Sequence, residues 1–154
     1  MNTTENYREL TAEERRGLID TLFKERCSCV IRSGDAIRIF RERGVKDLYR
    51  LLKEEPALLR GAFVADKVVG KAAAALMIRG GVGELFADVI SHPALELLNR
   101  YPVRVSYTLA VPHIINRTQT GWCPLETRCR DAATPEECLL RIEEFLSAQP
   151  RQTL

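Results

Sequence analysis

Residues Gly61–Gly81 read GAFVADKVVGKAAAALMIRGG. Ala62, Phe63, Val64 and Ala65 form a short apolar run that Asp66 closes, the pattern of a strand buried on both faces in a parallel sheet. Asp66 suits a helix N-cap, where a carboxylate accepts from the unpaired N–H groups two or three residues on. The AAAALMI that follows Lys71 is apolar almost all round, which predicts a central, closely packed helix. A strand, a tight turn and a helix start make the kind of junction at which open α/β sheets bind ligands.

Three residues of this junction run against local preference. Lys67 and Lys71 sit four apart in a predicted first turn, where they repel each other and oppose the helix dipole. Gly70 costs a helix about 1 kcal/mol relative to alanine. An anion held by the helix N–H groups and both ammonium groups would account for the lysines. Gly70 would then allow close approach of a ligand or of backbone. Exposed lysines and a packing glycine are the plainer alternative.

Working outward, Thr11-Ala12-Glu13-Glu14 has the form of a capping box and opens a helix carrying Leu18, Ile19, Leu22 and Phe23 on one side. CSCVIR (27–32) and AIRIF (36–40) flank Ser33-Gly34-Asp35, a hairpin signal. On one strand face Cys27, Cys29 and Ile31 are expected to meet the core, joined by Ile37 and Ile39. Gly44 starts a helical pattern that Pro56 interrupts. Val82 to Ile90 predicts the next strand, Ser91-His92-Pro93 a helix start, and Val103 to Val111 a last strand ended by Pro112. Helices alternating with the later strands imply parallel pairing through right-handed crossovers. The expected fold is a three-layer α/β/α domain over residues 11–148, with a five-stranded mixed sheet and flexible ends at 1–10 and 149–154.

The chain has 154 residues, 45% hydrophobic and 29% charged, with a formal net charge of +2. These are values of one ordinary globular domain, without the basic footprint of a dedicated nucleic-acid binder. No apolar run approaches membrane-spanning length. The N-terminal MNTTENYRELTAEERR has no signal-peptide apolar region, so the expected compartment is the cytoplasm. Homo-oligomerisation stays open. Five cysteines, an odd number without a secretory signal, argue against a disulfide framework. With no CxxC pair and two histidines, His92 and His113, remote from any cysteine pair, the sequence assigns no metal site and no cofactor.

The second candidate region is the late segment HIINRTQTGWCPLE (113–126). It is polar, turn-rich and long enough for a functional loop. Cys123-Pro124-Leu125-Glu126 reads as a helix start with Cys123 at the N-cap and Pro124 first. Thiols at helix N-termini carry more thiolate, which makes Cys123 a candidate nucleophile or ligand contact; a structural thiol in a tight turn is the alternative. Thr134-Pro135-Glu136-Glu137 opens the last helix with another capping-box pattern.

The order of elements resembles the cytidine-deaminase-like fold. More narrowly, ADKVVGKAAAAL (65–76) together with NRTQTGWCPLE (116–126) resembles a small prokaryotic family of unknown function grouped with those folds. True deaminases hold zinc through an H-x-E and a P-C-x-x-C segment, each opening a helix. The corresponding segments here read GVKDL (44–48) and DKVVG (66–70), which contain no histidine, glutamate or cysteine. Without those ligands there is no activated water. The resemblance therefore implies the pocket without the zinc chemistry, with Lys67 and Lys71 where ligands would stand.

The resulting expectation is a domain that binds a small anionic or nucleotide-like ligand through Asp66, Lys67, Gly70, Lys71, Asn116, Arg117 and Glu126. A Cys123-dependent enzyme and a non-catalytic interaction module are the alternatives, and the sequence does not decide whether any reaction is catalysed.

Overall fold

The computed structural model describes residues 9–42, 45–115, 121 and 123–148. Helix α1 (Ala12–Lys24) starts on the expected capping box: Thr11 accepts from the Glu14 N–H at 3.1 Å, and Glu14 accepts from the Thr11 N–H at 2.9 Å. A hairpin follows, β1 (Cys29–Ser33) and β2 (Ala36–Phe40), with Gly34 in the left-handed region at φ 58°. Then come α2 (Lys46–Glu54), α3 (Pro56–Leu59), β3 (Phe63–Val69), α4 (Lys71–Gly80), β4 (Glu84–Ser91), α5 (His92–Leu98), β5 (Arg104–Val111), α6 (Pro124–Cys129) and α7 (Pro135–Ala148). The glycine expected to open α2, Gly44, lies outside the described residues.

The sheet has five strands in the order β2-β1-β3-β4-β5. β1 runs antiparallel to β2 and β3, whereas β3, β4 and β5 are parallel. This is the expected mixed α/β sheet, but its two faces are covered unequally. α1 alone supplies the cluster of Leu18 and Leu22 against Val30, Phe63 and Ala65. The larger cluster, on the other face, draws on α2 to α7. Handedness explains the imbalance. β3, β4 and β5 follow one another in a single direction across the sheet, so right-handed crossovers put α4 and α5 on the same side.

Two local expectations need correction. β3 does not stop at Ala65 but continues through Asp66 and Lys67 to Val69. Its β-branched end, Val68-Val69, pairs with Val89 and Ile90, and the Lys67 N–H donates to the Ser28 carbonyl at 3.1 Å. Pairing on both sides outweighs the helix-start signal of one aspartate. The second concerns the hairpin. Cys29 and Ile31 enter the main core, but Cys27 precedes β1 and packs with the α1 cluster. Ile39 partly joins that same cluster, and Ile37 is 53% exposed.

The expectation of a central helix holds. Ala72 to Ala75, Leu76 and Met77 are all buried in α4. Small residues let neighbouring elements come close, and Gly80 shows the limit: a Cβ there would lie 2.7 Å from Leu59 Cδ1 and 2.8 Å from Leu59 Cβ. Alanine would gain about 1 kcal/mol of helix propensity, but overpacking of this kind costs about 1–3 kcal/mol. Gly80→Ala is therefore expected to destabilise the domain in urea titration. The loss should shrink in the Leu59→Ala background, and a stabilised Gly80→Ala variant would contradict the packing described.

Candidate functional site

The structure assigns the cap of α4 to residues far apart in sequence. Gly70, in extended geometry, is the N-cap and offers no side chain. The carboxylate comes instead from Glu126, in the first turn of α6. Its Oε1 accepts from the Lys71 N–H at 2.8 Å and from the Ser91 hydroxyl at 3.3 Å, and its Oε2 accepts from the Ile114 N–H at 2.9 Å. Glu126 is 4% exposed and Ser91 fully buried. Burying a carboxylate is costly unless donors replace water, and here three donors and a helix N-terminus do so. Gly70 is needed for this approach, because a Cβ would sit 3.1 Å from Glu126 Oε1 and 3.3 Å from Ile114 Cγ1.

The two lysines separate. Lys67 is a half-buried strand residue, not a helical one. Lys71 is the first residue of α4 and is buried; its ammonium donates to the Ala132 carbonyl at 2.6 Å and the Arg130 carbonyl at 3.2 Å. Those carbonyls lie just beyond α6, where a cation complements the helix end. Lys71 and Glu126 thus strap α6 to α4 at both ends. The predicted pairing of the lysines on one helical face does not occur, because only one of them is in the helix.

Asp66 stands in mid-strand, beside Cys29 of β1 and Ala87 of β4. It is 9% exposed, and its Oδ1 accepts from the Val68 N–H at 3.3 Å. Burial pushes its carboxyl up to about 7, held back by the backbone N–H groups of Val68 and Lys67. The neighbouring Cys29 thiol is pushed well up, first by burial and then by the charges of Asp66, Cys27 and Asp47. Asp47, in the first turn of α2, accepts from Arg50 at 3.0 Å through Oδ1. Its Oδ2 is buried and, among the described residues, has no hydrogen-bond partner. Sequence reading passed over Asp47 because an acid in a first helical turn is accounted for by the dipole.

Cys123 is the N-cap of α6, as expected, with Pro124 first, but its side chain makes no capping bond. The residue is half-buried, and its N–H donates to the Ile114 carbonyl at 2.8 Å. This contact brings the late segment against the α4 start, so Cys123, Glu126 and the Gly70–Lys71 turn belong to one neighbourhood. Asn116, Arg117 and Trp122 lie outside the described residues. All five cysteines are free thiols. Among the described residues no group of three or more histidine, cysteine, aspartate or glutamate side chains is placed to hold a metal ion, and no helix is long and apolar enough to cross a membrane.

Two outcomes follow from these contacts. Glu126→Ala leaves three donors facing a void, at about 1–3 kcal/mol for each buried unsatisfied group. A loss of about 3–5 kcal/mol is expected from denaturant titration, and a loss below about 1 kcal/mol would show that the carboxylate is dispensable. Asp66 ties stability to pH. The unfolded carboxyl loses its proton near its ordinary 3.8, and the folded one near about 7. Its stabilising contribution is complete below about pH 4 and is lost as pH rises to about 7, at about 1.4 kcal/mol per pH unit. Asp66→Asn should therefore gain on the wild type by up to about 4 kcal/mol across that window. Parallel pH profiles of thermal unfolding would refute this.

The crystal structure of a DUF1893 family protein (TM1506) from Thermotoga maritima is similar to this chain, with a TM-score of 0.80 and 28% sequence identity. The match covers 90% of this chain and 94% of that one. Among curated proteins none matches. Residues 17–146 match the model of the TM1506 family, a domain of unknown function (DUF1893), and the chain belongs to that family.

Proposed function

We propose that the domain binds a small polar molecule of nucleobase-like chemistry on a cytidine-deaminase-like architecture that has abandoned zinc. The strand order, with an antiparallel β1 and three parallel strands followed by helices, supports the architectural part. By order of elements, the two segments that carry zinc ligands in deaminases fall at 44–48 and 66–70. In this chain they contribute Asp47 and Asp66. These residues do not fit zinc: Asp47 Oδ1 is engaged by Arg50, and Asp66 is half protonated near pH 7.

The observation that carries the reading is Asp47 Oδ2, a buried acceptor with no partner among the described residues. A buried polar atom without a partner calls for an explanation, and a ligand donor supplies one. Asp66, opposite Cys29 in the β1–β3 register and half protonated near pH 7, can add a donor. One acceptor and one donor suit a heterocycle with an amino group next to a ring nitrogen. They do not suit a bare anion, and the helix N-terminus expected to hold one is already filled by Glu126. Lys67, one residue beyond Asp66 and half-buried, is the cation that a nucleotide's phosphate would need.

A thermal-shift panel of nucleobases, nucleosides, nucleotides and inorganic phosphate tests this. Ligands that bind only the folded chain raise its unfolding temperature by mass action. A nucleobase or nucleoside is expected to raise it and phosphate to leave it unchanged. The rise should vanish in Asp47→Asn and persist in Cys123→Ser, which separates binding from thiol chemistry. No rise with any heterocycle, or a rise indifferent to Asp47→Asn, would overturn the proposal.

A further inference from the structure

Cys129 ends α6, and Cys138 lies near the start of α7. Both are free thiols, fully buried in the main core. A buried cysteine is ordinarily a small hydrophobe, but these two are held against each other. Cys129 Sγ stands 4.0 Å from the Cys138 carbonyl oxygen, and the two sulfurs are close enough to share a hydrogen bond. The link between the helices is fixed by its own backbone. The Ala132 N–H donates to the Cys129 carbonyl at 3.1 Å, and the Cys138 N–H to the Thr134 carbonyl at 3.1 Å. The Ala133 N–H donates to Glu137 Oε2 at 3.3 Å. Across the two helices, Arg141 donates to the Arg128 carbonyl at 2.8 Å, and the Arg128 guanidinium lies 5.5 Å from the centre of the Phe145 ring. The thiols are thus brought together by contacts that do not involve sulfur.

Positive charge stands beside them. The buried Lys71 ammonium donates to the neutral carbonyls of Arg130 and Ala132, directly after Cys129 in the chain, and acts on both sulfurs, as Arg141 does. The hydrogen bond from Cys129 draws the Cys138 thiol below its ordinary range against the opposing effect of burial, and Lys71 and Arg141 pull the same way. Cys129, as the donor, is pushed up. One sulfur therefore has thiolate character and the other keeps its proton, an attacking and a resolving thiol side by side. We propose that Cys129 and Cys138 are a redox modification site, a dithiol that hydrogen peroxide oxidises to an intramolecular disulfide joining α6 to α7. Full burial selects the oxidant: peroxide enters through a small opening, whereas a bulky disulfide must line up with the attacking sulfur. The Cys138 thiolate attacks one peroxide oxygen; the S–O bond forms, the O–O bond breaks, and the departing hydroxide takes up the Cys138 proton as water. The Cys129 sulfur then gives up its proton and attacks the sulfenic acid; the S–S bond forms, the S–O bond breaks, and a second water leaves. The two thiols lose two electrons and peroxide gains them.

The test is hydrogen peroxide added to the folded full chain, read by mass spectrometry of the intact protein and of a non-reducing tryptic digest. The expected product is lighter by two hydrogens, with peptide 129–130 linked to peptide 131–141 and the link undone by dithiothreitol. This measurement needs only wild type. Two variants read the order of the steps. In Cys129→Ser, oxidation should stop at a Cys138 sulfenic acid that dimedone traps; in Cys138→Ser, Cys129 should stay a thiol. Cys123→Ser, which removes the half-buried thiol, should form the same link. No loss of hydrogens in the folded chain, a link that forms only in urea, a link lost in Cys123→Ser, or a sulfenic acid on Cys129 in Cys138→Ser would each overturn the proposal.

Discussion

The Glu126 carboxylate is where three helix N-termini meet. It lies in the first turn of α6, accepts from the first N–H of α4, and accepts from Ser91, the N-cap of α5. Each of those ends carries unpaired donors and the positive pole of its dipole. α4 and α5 follow β3 and β4, two neighbouring parallel strands, so both ends open at the same edge of the sheet. A carboxylate from a third helix neutralises that edge from within. The late chain is pinned there by four hydrogen bonds: Glu126 from the Lys71 N–H and the Ser91 hydroxyl, and the Lys71 ammonium to the carbonyls of Arg130 and Ala132. If that carboxylate is removed, α6 loses its main polar tie to the rest of the fold.

This arrangement fills the anion position of the junction from within the chain. The carboxyl ends of parallel strands are where α/β proteins bind small molecules, and helix N-termini there commonly hold anions. In this chain the protein's own side chain occupies the anion position and Gly70 makes room for it. The ligand site proposed above lies instead toward β1 and α2. There the polar chemistry is of the opposite kind, with a carboxyl held near neutrality and a carboxylate oxygen with no described partner. One hollow open on the surface lies along Leu140, Glu143, Glu144, Ser147 and Ala148 of α7.

Much of the fold was legible because its signals are local. The Thr11 capping box, the Gly34 turn, Pro56 between two helices, Ser91 before Pro93 and Cys123 before Pro124 each state a backbone geometry within four residues, and each stands where the pattern put it. The junction was legible only in part, because its chemistry is long-range. Sequence patterns asked for a carboxylate at the start of α4 and offered Asp66, the nearest one; the fold uses Glu126, 55 residues beyond Lys71. Lys67 and Lys71 at helical spacing implied a shared face, but the β pairing of Val68 and Val69 carries the strand past the first lysine. The oddity of Gly70 was a true signal with the wrong partner inferred: it marks close approach by a side chain of the same protein.

The same crossover handedness that gathers those helix ends also leaves the sheet lopsided. With α4 and α5 on one face and later helices packed around them, α1 is the one helix on the other among the described residues, and its buried residues reach β1 and β3. The far half of that sheet, toward β5, has no helix assigned to it among the described residues. Parallel sheets are ordinarily covered on both faces because their strands are apolar on both. β5 answers with a mixed composition: Ser106 and Thr108 alternate with Tyr107 and Leu109, wet enough to stand in solvent and apolar enough to be buried. A strand so composed, uncharged over seven residues from Val105 to Val111 and stopped cleanly by Pro112, is poised between edge and interior.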